Sequence, residues 1–211
     1  MKKWTLAGII GIFLVGCVVI GPIMSDVEQP EYQVVATDGN IEIRQYDPMV
    51  IANVEMQGER EDSIGDGFRV LADYIFGNNT KEKEIAMTAP VQQKATAPSV
   101  DEMSASAETS KKSWSIRFVM PSKYNLKTLP KPKDKRIKLQ AIPAKLYIVI
   151  RFSGRNSNDN IDQYEEQLST YVEKNQVSTT GSPIYAFYNP PWTLPPMRRN
   201  EILIEIPRNG K

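Results

Sequence analysis

The chain has 211 residues, with 26 Lys and Arg against 25 Asp and Glu, a formal charge of +1, so no overall field draws it to nucleic acid. Histidine is absent and there is one cysteine, which excludes a Ser-His-Asp triad, a Cys-His pair, a His/Cys zinc cage and an internal disulfide. At 41% hydrophobic and 24% charged residues, the composition suits one globular domain with its own core.

Lys2 and Lys3 precede Thr5 to Met24, a run without a charged side chain, and Asp26 and Glu28 follow it. Positive charge before an apolar run and negative charge after it read as an export or membrane segment with its N-terminus inside. Leu14, Val15, Gly16 and Cys17 fit a bacterial lipobox, with the chain's only cysteine at the lipidated position. The run is also long enough for an uncleaved helical anchor, and release after cleavage is the third alternative. Each places the folded part outside the cytoplasm, with residues 1–30 as signal or anchor and 31–207 as a single domain.

Ile41, Ile43 and Gln45 alternate with Glu42, Arg44 and Tyr46, a period-2 strand; Asp47-Pro48 turns the chain into a second strand from Met49 to Met56. A helix then starts at Asp62 or Ser63, buries Ile64, Phe68, Leu71 and Ile75, and stops at Gly77-Asn78. Ala95 to Lys112 is rich in Ala, Ser, Thr, Glu and Lys and reads as a mobile insertion. Trp114, Ile116, Phe118 and Met120 alternate up to Pro121. Lys127 to Lys138 is a solvated connector. Ile137–Ile142 turns at Pro143 into Leu146–Phe152, a second helix starts near Asn158–Asn160 and buries Ile161, Tyr164, Leu168 and Tyr171/Val172, and Ile202, Ile204 and Ile206 alternate up to Pro207.

The second half repeats the first. Pro48 and Pro143, Gly58 and Gly154, and Pro121 and Pro207 hold like places, and Ile64, Leu71 and Ile75 match Ile161, Leu168 and Val172. Ile85-Ala86-Met87 with Pro90 is matched by Tyr185-Ala186-Phe187 with Pro190. The spacing falls by about 14 residues after this match, and the Ala95–Lys112 insertion accounts for the fall. The expectation is an α+β fold of two ββαββ repeats, about 31–121 and about 133–207. Its eight strands form one curved sheet or distorted antiparallel barrel, flanked by two helices.

Four separated runs, Ile41–Tyr46, Ile85–Val91, Phe118–Tyr124 and Tyr185–Pro191 followed by Arg198-Arg199-Asn200-Glu201, resemble those of the SOUL family of haem-binding proteins. The resemblance spans about Glu31 to Pro207. It implies a distorted β-barrel of two repeats, related to bacterial effector-binding domains, and non-covalent binding of haem or another tetrapyrrole between the first helix and the loop that is Pro190–Asn200 here.

Read from its residues, that loop suits a flat apolar dianion. Pro190, Pro191, Pro195 and Pro196 hold it stiff; Trp192, Leu194 and Met197 offer apolar and stacking contact, and Arg198 and Arg199 offer forked bonds to carboxylates. Arg69, off the buried stripe of the first helix, is the candidate for a second propionate. Burying about 400 Å² of macrocycle is worth on the order of 10 kcal/mol before association costs, so binding needs no iron ligand. Without histidine, a Met thioether, a Tyr phenolate or a Lys amine remains for iron, with Met197 and Tyr74 the best placed; no metal site and no catalytic residues are assigned.

The leading expectation is therefore a membrane-associated, extracytoplasmic haem or tetrapyrrole carrier, buffer or scavenger, without enzymatic activity and without nucleic acid as partner. The alternatives are an effector-binding-type module for amphiphilic small molecules, in which an acidic residue in the cleft meets a cation, or a protein-interaction domain whose ligand site has decayed.

Overall fold

The computed structural model describes residues 27–96 and 112–207. In chain order these form β1 (Tyr32–Asp38), β2 (Ile41–Tyr46), β3 (Met49–Gln57), α1 (Arg60–Ile75), β4 (Val91–Ala95), β5 (Ser113–Val119), β6 (Lys138–Ile142), β7 (Lys145–Phe152), α2 (Asn158–Lys174), β8 (Thr180–Phe187) and β9 (Asn200–Ile206). Thr5–Met24, Cys17 and most of the Ala95–Lys112 insertion lie outside the described residues. Among the described residues no helix is long and apolar enough to cross a membrane.

All strand pairs are antiparallel, in one nine-stranded sheet of order β1-β2-β7-β9-β8-β4-β5-β3-β6. Exchanging β2 with β6, β3 with β7, β4 with β8 and β5 with β9 maps this order onto itself reversed, which is the expected two-repeat symmetry. The repeats are interlocked: β2 pairs with β7 and β6 with β3, so each repeat's first strand completes the other's half-sheet. Gly58 and Gly154 mark equivalent turns out of β3 and β7, both in the left-handed region at φ +125° and +111°, where a Cβ is strained.

Three expectations are corrected. The sheet is open: β1 and β6 are its two edges and do not pair, so the closed barrel is not formed. The ninth strand, β1, had no place in a two-repeat scheme; its residues are mostly exposed and gave no alternating apolar pattern. Part of the extra length of the first repeat falls between α1 and β4, residues 76–90 against 175–179 in the second repeat. Ile85-Ala86-Met87 is accordingly irregular chain, while its match Tyr185–Phe187 lies in β8.

Both helices lie over one face, where Leu71, Ile75, Ile161 and Leu168 pack on Ile116, Ile148, Ile150 and Ile202. The helix stripe differs from the expected one. Ser63, Gly67 and Leu71 are buried in α1, while Phe68 is 38% exposed and meets Phe118 edge-on at 5.4 Å. Gly67 sets the closest approach: a Cβ there would stand 2.6 Å from the Cβ of Ile116.

Among the described residues the other face carries no helix, yet Val149, Ala186, Leu203, Arg44 and Glu201 are buried on it. The sheet curls around them, and the segment before β1 is laid across the opening. Glu28 forms a parallel bridge with Thr88, its carbonyl accepts from Ala89 N at 3.0 Å, and its carboxylate accepts from Ser122 N at 2.6 Å.

Candidate functional site

The two helices begin side by side. Arg60, first residue of α1 and 5% exposed, donates through Nε to Asn158 Oδ1 at 2.7 Å and through Nη2 to the carbonyl of Asn156 at 2.5 Å. Gln93 Nε2 returns a bond to the Arg60 carbonyl at 2.7 Å. Burial pushes the Arg60 guanidinium below its usual range, an effect Glu61 opposes. Neither helix is capped by its own N-cap side chain; instead Glu61 accepts from Asn158 N at 3.1 Å, so α1 supplies the anion at the positive end of α2.

Above this junction stands the β8–β9 loop, braced by its own backbone. Thr193 N donates to Pro190 O at 3.0 Å and Met197 N to Leu194 O at 2.9 Å, closing a short 3-10 turn over Pro195–Met197. Gly154 N donates to Pro195 O at 2.9 Å and Asn200 Nδ2 to Gly154 O at 3.1 Å, tying the loop to the turn before α2. Between loop, turn and Glu61 opens a cleft of about 640 Å³ lined by Arg155, Trp192, Thr193, Leu194 and Arg198 among others, within the usual range for small-ligand sites.

The six residues singled out in the sequence do not form one cluster. Trp192 and Leu194 line the cleft and are 59% and 52% exposed, unusual for side chains of this size. Arg198 lines it too, donating to Thr193 O at 2.7 Å and to Pro191 O, so it braces the loop while facing the cleft. Met197 is exposed but outside the lining. Arg69 is outside it as well, on the solvent side of α1 in an ion pair with Asp66.

Arg199 turns to the opposite face of the sheet. Its guanidinium lies 3.9 Å from the Tyr188 ring centroid and meets Glu201 at 2.8 Å and Gln29 at 3.0 Å. Glu201, fully buried, also accepts from Arg44 at 2.9 Å and from Tyr188 OH at 2.7 Å, so both its oxygens are engaged by cations. Those bonds hold the Arg44 charge more firmly than burial, the largest influence, opposes it, and its pKa is raised. The signature residues Arg44, Arg199 and Glu201 thus lock the N-terminal segment, β2 and β9 together.

Sequence reasoning missed Arg155. It lines the cleft next to Arg198, whose guanidinium is pushed down by burial and then by repulsion from Arg155. Among the described residues neither arginine has a carboxylate partner. The signal was present in Gly154, already matched to Gly58 by the repeat, since the residue after it must stand at the mouth of α2. Thr193, 6% exposed, leaves its hydroxyl without a hydrogen-bond partner among the described residues.

Neither residue considered for iron lines the cleft. Tyr74 is buried at the far end of α1, donating to Pro130 O at 2.8 Å. Among the described residues no cluster of three or more metal-ligating side chains occurs. The geometry brings Arg155, Arg198, Trp192 and Leu194 to one cleft of a two-repeat α+β fold.

The family model of the SOUL heme-binding protein matches residues 27–205, and the chain belongs to that family. No curated protein matches it. Among solved structures, the C-terminal domain of EcmrR superposes with a TM-score of 0.57 at 14% identity, over 84% of this chain and 98% of that one. EcmrR in its DNA complex gives 0.58 at 14% identity, over 84% of this chain and 58% of that one. A hydrolase from Listeria innocua gives 0.53 at 11% identity, over 82% and 94%. At these identities the likeness is one of fold alone.

Proposed function

We propose that this protein binds haem or a related tetrapyrrole non-covalently in the cleft between the β8–β9 loop and the start of α2, as a carrier, buffer or scavenger tethered outside the cytoplasm by residues 1–30. The observation that carries the reading is the pairing of two guanidiniums without a carboxylate partner among the described residues, Arg155 and Arg198, with the exposed Trp192 and Leu194 in one cleft. Macrocycle and carboxylates have their counterparts there, and the Thr193 hydroxyl adds an unsatisfied polar group. The lining contains no Met, Tyr, Lys or Cys, so the site fits the ring and its acid groups and offers the iron none of these ligands. Arg155 and Arg198 hold the carboxylates and Trp192 covers the ring face; haem itself supplies redox-active iron and a strong visible absorbance. We assign no catalytic step.

The effector-type alternative needs a free acid, whereas Glu201 is bonded through both oxygens and Glu61 caps α2. The test is a haemin titration of the full chain followed at the Soret band, beside Trp192→Ala and Arg155→Ala. Saturable one-to-one binding, weakened roughly tenfold or more by each substitution, supports the reading. A non-saturating response, or binding indifferent to both variants, contradicts it.

A further inference from the structure

α1 separates two poles. Its first turn borders the cleft, and its C-terminal end is the far end of a 16-residue helix, roughly 24 Å long. Phe76 follows that end and is 65% exposed. The connector between the repeats packs beside it: Lys133 N donates to Asn78 O at 3.3 Å, Thr80 N to Lys131 O at 2.9 Å, and Tyr74 OH to Pro130 O at 2.8 Å.

From Pro121 to Lys138 this connector carries seven Lys or Arg and one Asp, in a chain whose net charge is only +1, so the cations are concentrated here. Every one of the seven is exposed. Glu82, Asp134 and Glu55 neutralise Lys133, Arg136 and Lys138 at 3.1, 2.7 and 3.5 Å. Lys127, Lys131 and Lys135 have no carboxylate partner among the described residues. Leu126, 46% exposed, stands between Lys123 and Lys127. Exposed apolar side chains among unpaired lysines are what a bilayer interface accommodates, taking the apolar groups into its acyl boundary and the ammonium groups onto its phosphates.

The N-terminus enters the fold beside the start of this connector. Glu28 accepts from Ser122 N at 2.6 Å, Lys123 is the next residue, and the uncharged run Thr5–Met24 ends four residues before Glu28, a reach of at most about 14 Å. We propose that this pole, Phe76 and Leu126 set among Lys123, Lys127, Lys131 and Lys135, rests on anionic headgroups of the membrane that the N-terminal run enters, leaving the cleft at the start of α1 farther from the bilayer. The proposal rests on the membrane-tether reading of residues 1–30. A soluble polyanion would meet the lysines and leave Phe76 and Leu126 in water, so lipid is the occupant both features favour.

The test uses the full chain reconstituted in phosphatidylcholine vesicles with and without phosphatidylglycerol, treated with a membrane-impermeant amine reagent and read lysine by lysine by mass spectrometry. Lys112, which pairs with Glu59 beside the cleft, is the internal control. The expected result is protection of Lys127 and Lys131 by roughly fivefold with phosphatidylglycerol, reversed at high salt and reduced in the surface variant Phe76→Ser/Leu126→Ser, with Lys112 unchanged. Equal labelling in both lipids, from chains that float with the vesicles, overturns the proposal and leaves the tether standing. A chain that floats with neither lipid overturns the tether and the proposal together. Protection produced by a soluble polyanion but not by phosphatidylglycerol also overturns it, assigning the surface to such a partner.

Discussion

Arg198 and Arg199 are neighbours in sequence and opposite in use, because the chain is already extended at Arg198, just before β9 begins at Asn200, and successive side chains of an extended chain point to opposite faces. Arg198 stays with the loop and the cleft; Arg199 joins the buried group around Glu201. This divergence was not legible in a run of two arginines; of the three apolar residues singled out in the loop, Trp192 and Leu194 line the cleft and Met197 does not. Arg155 replaces Arg199 as the second cation of the cleft. Removing the Glu201 charge leaves Arg44 and Arg199 buried without their shared partner, so Glu201→Gln is expected to cost about 3 kcal/mol or more, read as a fall in the urea midpoint. Trp192→Ala exposes no core and is expected to leave that midpoint nearly unchanged. An equal fall in both variants contradicts the separation of binding and structural roles drawn here.

At the scale of elements, periodicity located most strands and the start of α2 to within a residue or two, whereas α1 is capped at Glu59, three to four residues before the expected Asp62 or Ser63. It failed where packing follows volume and not hydropathy. In α1 the pattern placed Phe68 in the core, yet the helix approaches β5 so closely that Ser63, Gly67 and Leu71 face the sheet and Phe68 rides at the margin against Phe118. A small residue at the contact is invisible to a hydropathy argument. Gly67→Ala is therefore expected to destabilise by about 1–3 kcal/mol through the clash with Ile116, despite the higher helix propensity of alanine. Gly65, exposed and with nothing within 4 Å of an added Cβ, should gain about 1 kcal/mol on the same change. Urea denaturation of the two variants checks the pair; opposite signs are the expected outcome.

The whole molecule is two interlocked repeats curled around a face rich in tyrosine. The repeat was legible from spacing, but the open edges were not, because β1 lies outside the repeat and pairs only with β2. Burial pushes Tyr46, Tyr74 and Tyr147 up to about 12, and Tyr188 is raised by burial and then by Glu201. Tyrosines of the unfolded chain ionise near 10, so between about pH 10 and 12 the folded state keeps protons that the unfolded state has lost. Stability is then full below pH 10 and declines above it, at up to about 1.4 kcal/mol per pH unit for each such tyrosine. The urea midpoint measured from pH 8 to 11 should stay level and then fall, with a shallower fall in Tyr147→Phe.

The central claim is that Arg155 and Arg198 hold ligand carboxylates while Trp192 covers the ring, and it is tested most directly by crossing a change in the ligand with a change in the protein. Quenching of tryptophan fluorescence would be followed with protoporphyrin and with its dimethyl ester, on the native chain and on Arg155→Ala/Arg198→Ala; Trp114, 9% exposed, provides a buried reference. Esterification is expected to weaken binding to the native chain at least tenfold and to have little further effect on the variant, the signature of two coupled partners. Equal binding of acid and ester by the native chain would contradict it.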